Sequence, residues 1–183
     1  MNYRLHKTVA MVGMMGAGKT AIGQAVARTL KVPFLDSDTE IVAAANMTIP
    51  EIFARDGEAF FRRKEAQVIA RLLEDERGIL STGGGAFLNA ANRTLIAERG
   101  VAVWLRADLD LLWARVRHKD TRPLLRTDDP YGTLASLLRT RTPAYAEAAI
   151  VVDARPDYSI SQMSEKVIEA LLTRPDVLER VPE

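Results

Sequence analysis

Residues 11–20 read MVGMMGAGKT, with glycines at positions 13, 16 and 18. Glycine has no Cβ, adopts positive φ angles easily and lets a backbone approach a ligand closely. The segment fits the pattern G-x-x-x-x-G-K-[ST], in which a glycine-rich loop binds phosphate groups. The match is informative only if a strand precedes the loop and a helix follows it.

Both flanks of the loop have the required pattern. Residues 8–12 (TVAMV) form an apolar run typical of a buried strand, and apolar residues recur at helical spacing over 20–30. In such a loop the backbone amides point at phosphates, and the positive end of the helix dipole adds to binding. We therefore predict that Lys19 reaches the β- and γ-phosphates of a nucleotide and that the Thr20 hydroxyl binds Mg²⁺.

The rest of the chain alternates short apolar runs with helical patterns. Strands separated by crossover helices pair in parallel. We predict an α/β fold, a three-layer α/β/α domain around a five-stranded parallel sheet, and we expect the last ten residues to be a fraying tail. Besides residues 8–12, the predicted strands are 32–35, 78–82, 101–105 and 150–152.

Composition narrows the function classes. A chain of 183 residues suits one domain, so we expect residues 1–183 to fold as a unit. The net charge of +1 does not favour binding to nucleic acid or to an anionic membrane, and the absence of cysteine excludes disulfides and thiolate sites. No apolar stretch has the length of a signal peptide or a membrane span. We expect a cytoplasmic protein and, as a default, a monomer.

Three unusual stretches follow predicted strands: residues 13–18, Asp36-Ser37-Asp38 and residues 83–85 (GGG). Ligands of parallel sheets bind at the carboxyl ends of the strands. One of the two carboxylates, Asp36 or Asp38, can position the Mg²⁺ shell while the other faces a substrate hydroxyl. The alternative is an aspartate that caps a helix in a turn. The three glycines indicate either close approach of a ligand or a tight turn onto a helix at 90–98.

Three arginines are candidate ligands for anions. Arg62 lies on the helix that follows the second strand, and Arg122 lies in a polar segment at about 119–130 that we expect to be a mobile lid. Arg141 precedes Pro143, which can bend its helix toward the cavity. A solvated charge for Arg62 and an ordinary proline kink for Arg141 are the alternatives.

The class of phosphate-binding protein follows from what accompanies the loop. The guanine-reading motif N/T-K-x-D of GTP switches does not occur in the sequence. The small size and the early aspartates favour a kinase for a small molecule or a nucleotide, in which a second substrate lies beside the γ-phosphate and water is excluded.

Taken together, the motifs resemble those of the shikimate kinase family, a group of P-loop kinases. They occur in that family's order and span nearly the whole chain, from Val9 to Arg155. The segments that carry the resemblance are GMMGAGKT, the DSD of 36–38, FRRKE with Arg62, STGGG at 81–85, RPLL at 122–125 and RTPAY at 141–145.

The resemblance implies a role for each matching residue. Shikimate would be bound by Asp38 through its hydroxyls, by Arg62 and Arg141 through its carboxylate, and by the glycine loop through Gly84. Arg122 on the lid would reach ATP, Arg115 would point toward the phosphates, and Arg155 would pack near the adenine. The full implied set is Gly16, Ala17, Gly18, Lys19, Thr20, Ala21, Arg115, Arg122 and Arg155 for ATP, Thr20 and Asp36 for Mg²⁺, and Asp38, Arg62, Gly83, Gly84, Gly85 and Arg141 for shikimate.

The implied reaction is in-line transfer of the γ-phosphoryl group of ATP to the 3-hydroxyl of shikimate. Lys19, Mg²⁺ and Arg122 would stabilise charge, and Asp38 would orient the hydroxyl and accept its proton. Two alternatives are a kinase for another polyol acid such as gluconate and a non-catalytic nucleotide-binding module. Intact Lys19, Thr20, Asp36 and Asp38 argue against the second alternative.

Overall fold

A computed structural model describes residues 1–75, 77–118 and 125–183 of the chain. Its strands are β1 (Asn2–Leu5), β2 (Thr8–Val12), β3 (Phe34–Asp36), β4 (Ile79–Ser81), β5 (Gly100–Arg106), β6 (Ile150–Asp153) and β7 (Leu178–Val181). Its α-helices are α1 (Lys19–Leu30), α2 (Ser37–Ala45), α3 (Ile49–Asp75), α4 (Ala90–Arg99), α5 (Leu109–Val116), α6 (Pro130–Tyr145) and α7 (Ile160–Leu172). A short 3₁₀ helix, Ala86–Leu88, precedes α4.

The central sheet has the strand order β3-β4-β2-β5-β6, and all of its pairs are parallel. Strand β2 lies in the middle, where Val9 pairs with Ile79 on one side and with Val101 on the other. Every residue of β2 is buried, as expected for a strand covered on both faces. The prediction of a five-stranded parallel sheet is confirmed.

The helices pack in pairs against the sheet, α1 with α7 and α3 with α4. Helix α3 contains a break at Gly57, where φ is +83°. None of the helices among the described residues is both long enough and apolar enough to cross a membrane.

Two features of the fold differ from the prediction. The tail does not fray, because β7 pairs antiparallel with β1 and places Leu178 opposite Leu5, both of them buried. The pairing joins the two ends of the chain, so no local pattern reveals it. A helix that was not predicted, α2, begins directly after Asp36, whose carboxylate accepts a hydrogen bond from the Thr39 amide at 3.0 Å. The capping alternative therefore describes this aspartate.

Candidate active site

The three unusual stretches meet at one edge of the sheet. Strands β3, β4 and β2 are neighbours, and Asp36 pairs with Ser81, which in turn pairs with Met11. The glycine loop after β2, the aspartates after β3 and the triple glycine after β4 therefore start side by side. This is the edge at which parallel sheets bind ligands.

The loop after β2 requires glycine for two physical reasons. Gly18 caps the start of α1 with φ +96°, a left-handed conformation that residues with a Cβ rarely adopt. Gly16 has φ +83°, and a methyl group on it would come within 2.7 Å of the Val116 side chain. The loop thus packs closely against α5 at Gly16.

Lys19 is folded against the loop that it follows. Its ammonium donates to the carbonyl of Gly13 at 2.5 Å and lies 3.4 Å from that of Met14. The positive charge also lowers the pKa of Asp38, against the stronger effect of burial. The ammonium is therefore held by the phosphate-binding loop and acts electrostatically on the aspartate.

A cleft of about 460 Å³ opens over the loop and the start of α1. Arg115 on α5 lines it and donates through Nη1 to the carbonyls of Gly16 and Ala17, at 3.0 and 3.2 Å. The Arg155 guanidinium lies 5.8 Å from the centre of the Tyr158 ring, which also lines the cleft. The full lining is Met14, Met15, Gly16, Gly18, Lys19, Thr20, Ala21, Ile22, Arg115, Tyr158, Ser159, Ile160 and Met163.

The oxygen donors near the loop suit a Mg²⁺ ion that is held largely by a nucleotide. Within the described ranges there is no cluster of three or more His, Asp or Glu side chains able to enclose a metal. Mg²⁺ bound with nucleotides usually keeps several waters and takes only one or two protein oxygens. Thr20, exposed in the first turn of α1, and Asp36, only partly buried at the end of β3, fit that requirement.

Each of the three glycines after β4 lies against one charged side chain. A methyl group on Gly83 would come within 2.7 Å of Asp38 Oδ1, one on Gly84 within 3.1 Å of Arg141 Nη1, and one on Gly85 within 2.5 Å of Arg62 Nη2. None of the three has a positive φ. These glycines are therefore needed because a side chain would not fit, and not because of their backbone conformation. The glycine loop forms the floor of a pocket that bears one carboxylate and two guanidinium groups.

Burial and charge set the ionisation of the pocket's carboxyl groups. Burial raises the pKa of Asp38 and Asp36 adds to the increase, while Lys19 and Arg62 oppose it. Glu65, 1% exposed, accepts a hydrogen bond from Arg62 Nη1 at 3.0 Å. Burial raises the pKa of Glu65 despite the opposing charge of Arg62.

The second guanidinium group is held from α6. Arg141 is buried, and Tyr145, one turn later, donates from its hydroxyl to the Gly84 carbonyl at 2.7 Å. Pro143 lies between them inside the helix. Two planar forks and a carboxylate over an amide-rich floor can bind a small carboxylic acid that also carries hydroxyls.

Comparison with known proteins agrees with this geometry. The family model described as shikimate kinase matches residues 15–172, which is most of the chain. The chain belongs to the shikimate kinase family. Its activity is ATP-dependent phosphorylation of the 3-hydroxyl of shikimate with Mg²⁺, a step of aromatic amino acid biosynthesis.

Individual shikimate kinases match over nearly their whole length. The shikimate kinase of Ruegeria pomeroyi is 66% identical over 175 residues, which cover 96% of this chain and 90% of that protein. The shikimate kinase of Cereibacter sphaeroides is 64% identical over 176 residues, covering 96% and 88%. Predictions of family, fold class and activity made from the sequence are confirmed.

Solved structures extend the likeness to three dimensions. Shikimate kinase from Acinetobacter baumannii in complex with shikimate superposes with a TM-score of 0.84 at 35% identity, covering 91% of this chain and 93% of that one. A gluconokinase from Sinorhizobium meliloti reaches a TM-score of 0.60 at 16% identity, covering 94% and 95%. The second likeness shows the fold alone, so it does not revive the gluconate alternative.

The structure brings together most of the residues that the shikimate kinase resemblance implies. The charges of Lys19 and Arg62 both act on Asp38, and Arg141 faces the same glycine loop. Arg115 contacts the backbone of the phosphate-binding loop. Arg122 and residues 119–124 of the expected lid lie outside the described residues.

Three residues of this shikimate kinase site received no role from the sequence. Glu65 holds Arg62, Tyr145 holds Gly84, and the buried Ser37 hydroxyl accepts the Gly83 amide at 3.2 Å. The spacing of three residues between Arg62 and Glu65 is a signal that helix geometry makes readable. The other two contacts join distant parts of the chain and leave no local pattern.

Proposed function

We propose that the pocket over Gly83–Gly85 binds shikimate, with Arg62 and Arg141 on its carboxylate and Asp38 on its hydroxyls. The observation that carries this assignment is the one-to-one contact between three consecutive glycines and these three side chains. Two guanidinium forks match one carboxylate, and a carboxylate accepts hydrogen bonds from a polyol. The glycines themselves contribute backbone contacts to the bound acid.

The loop after β2 and its surroundings bind ATP in this proposal. Amides of the loop and of the first turn of α1 surround the phosphates, and Lys19 exchanges its contacts with Gly13 and Met14 for phosphate oxygens. Arg115 braces the loop and Arg155 lies beside the adenine end of the cleft. Thr20 and Asp36 would hold Mg²⁺, which would neutralise charge on the phosphates. The residues assigned to ATP are Gly16, Ala17, Gly18, Lys19, Thr20, Ala21, Arg115, Arg122 and Arg155.

Asp38 orients the attacking hydroxyl and accepts its proton. Its burial raises the carboxyl's pKa, which strengthens it as a base relative to an exposed aspartate. Lys19, which is near enough to influence that pKa, stabilises the negative charge on the phosphoryl group during transfer. Arg122, which lies outside the described residues, is assigned to the ATP phosphates in this proposal.

An acceptor comparison tests the pocket as a whole. ADP release from ATP and Mg²⁺ is measured with shikimate, quinate, gluconate or no acceptor. Stimulation by shikimate alone is expected, because the pocket positions one ring carboxylate and its hydroxyls together. Equal stimulation by gluconate would overturn the assignment of the pocket while leaving the kinase fold intact.

Charge-conserving variants test the two arginines. Arg62→Lys and Arg141→Lys keep the positive charge but lose the planar fork, so each is expected to raise KM for shikimate by about tenfold or more. KM for ATP serves as the internal control and is expected to stay unchanged. An equally large increase in the KM for ATP would contradict the assignment of these arginines to shikimate.

We also propose that residues 1–183 form one catalytic domain that works as a monomer in the cytoplasm, without nucleic acid or membrane as a partner. The net charge of +1 supports the absence of a nucleic-acid or membrane partner, because such an anionic surface would favour a more basic protein. Sedimentation of the purified protein at several concentrations tests the oligomeric state. A dimer mass that persists on dilution would contradict the monomer.

A further inference from the structure

Tyr145 occupies a position between the glycine loop and Arg141. It ends α6, is 1% exposed, and donates its hydroxyl hydrogen to the Gly84 carbonyl at 2.7 Å. Burial raises the pKa of Tyr145, while the charge and a side-chain hydrogen bond of Arg141 oppose the increase. The phenol hydroxyl therefore donates to the loop, and Arg141 lies close enough to act on its pKa.

The Gly84 carbonyl depends on this hydroxyl. In the loop, the Gly83 carbonyl accepts from the Ala86 amide at 3.1 Å and the Gly85 carbonyl accepts from the Leu88 amide at 3.2 Å. Within the described part of the chain, the Gly84 carbonyl accepts only from Tyr145. Since a trans peptide is planar, holding this carbonyl also fixes the direction of the Gly85 N–H.

Arg141 also lies next to Gly84. The Arg141 Nη1 atom would lie 3.1 Å from a methyl group on Gly84, so the guanidinium rests on the loop. The Tyr145 hydroxyl bonds to the carbonyl of that same glycine, and the centre of its ring lies 6.0 Å from that of Trp104 in a tilted arrangement. The hydroxyl of a packed aromatic ring thus holds the peptide against which the guanidinium lies.

We infer that Tyr145 is a positioning residue for the acceptor pocket, and that its hydroxyl fixes Arg141 and the Gly84 peptide as one unit for recognition of the substrate carboxylate. This inference rests on the proposed function, in which Arg141 binds that carboxylate. The hydroxyl does not contact the substrate in this scheme. It acts by keeping the fork and the loop in one relative orientation.

The test compares shikimate with its methyl ester, which keeps the ring and hydroxyls but lacks the negative charge. The measured quantity is the ratio of kcat/KM for the acid to kcat/KM for the ester. Arg141→Gln is expected to lower this ratio by about a hundredfold, as for loss of a buried charge partner. Tyr145→Phe keeps the ring and is expected to lower it by about tenfold, the scale of a hydrogen bond to a charged group.

A double variant and a control complete the design. Adding Tyr145→Phe to Arg141→Gln is expected to lower the ratio no further, because the two residues act through one contact. Ser164→Ala removes another buried hydroxyl, on α7, and is expected to leave the ratio unchanged. Thermal unfolding of each variant reports any general loss of stability.

The outcomes separate this inference from the function on which it rests. If Arg141→Gln leaves the ratio unchanged, the carboxylate assignment fails and the positioning role fails with it. If Arg141→Gln lowers the ratio but Tyr145→Phe reduces activity on acid and ester equally, the proposed function stands and Tyr145 is only a core residue. Additive losses in the double variant would also overturn the positioning role.

Discussion

The guanidinium group of Arg62 lies against the α-carbon of Gly85, so closely that a methyl group there would come within 2.5 Å of Nη2. Gly85 has φ −96° and ψ −7°, a conformation open to residues with side chains. Glycine is therefore needed here to leave space for the arginine side chain, and the backbone conformation does not require it. Function and stability should respond differently to a substitution at this site.

Gly85→Ala is expected to raise KM for shikimate by about tenfold, because the added methyl displaces the Arg62 fork from the proposed carboxylate position. The free energy of unfolding is expected to stay constant or rise by about 0.4–1 kcal/mol, since alanine restricts the unfolded chain. Steady-state kinetics and urea unfolding measure the two effects. An unchanged KM for shikimate would show that Arg62 is not held by this contact.

Asp38→Asn is expected to lower kcat by about a hundredfold through lost proton acceptance and lost orientation of the hydroxyl. The same substitution is expected to increase the free energy of unfolding. Burial raises the pKa of Asp38 in the folded state, so ionisation destabilises the fold as pH rises through the window above the unfolded carboxyl's pKa. The ligand-free variant is expected to be more stable than wild type at pH 7.

The same argument predicts a pH dependence for that gain. Below about pH 4, the pKa of an unfolded aspartate, both the native carboxyl and the asparagine are neutral and the difference should disappear. Unfolding free energies of the two proteins between pH 3 and pH 7 measure it. A gain that is constant across this range would contradict a raised pKa for Asp38.

Two of the three arginines assigned to ATP, Arg115 and Arg155, should differ in effect. Arg115 donates to two loop carbonyls, so Arg115→Ala is expected to raise KM for ATP by about tenfold through loss of charge-assisted hydrogen bonds. Arg155 is exposed beside Tyr158, and Arg155→Ala is expected to raise it by about two- to fivefold. KM for shikimate is the control for both, and a larger effect at Arg155 would reverse the assignment.

The pairing of β1 with β7 predicts a stability effect remote from the chemistry. Leu178 is fully buried opposite Leu5, so Leu178→Ala is expected to cost about 2–5 kcal/mol of unfolding free energy. Arg180→Ala removes an exposed side chain from the same strand; it is the matched control and is expected to change the free energy of unfolding by less than about 0.5 kcal/mol. Equal effects in urea unfolding would mean that the terminal strand is not held by its core side chain.

Much of the fold and of the candidate site could be predicted because the relevant signals are local. The loop at 13–20 combines glycine spacing with a strand before it and a helix after it, and that combination fixes where phosphate can bind. Apolar runs separated by helical periods imply parallel pairing and place Asp38 and Gly83–Gly85 at one sheet edge. The motifs at Arg62 and Arg141 indicated the shikimate kinase family, and the comparisons confirmed it.

Tertiary structure alone decided the features that join distant segments. The buried side chains of Leu5 and Leu178 pair the two ends of the chain, although neither end has a strong strand pattern. The sequence motif GGG indicates space or a turn, and only packing shows that each glycine accommodates a different charged group. The Tyr145 hydroxyl reaches Gly84 across 61 positions of sequence, and such a contact depends on how α6 docks against the sheet. Local propensity specifies the elements, whereas side-chain packing between them specifies the site.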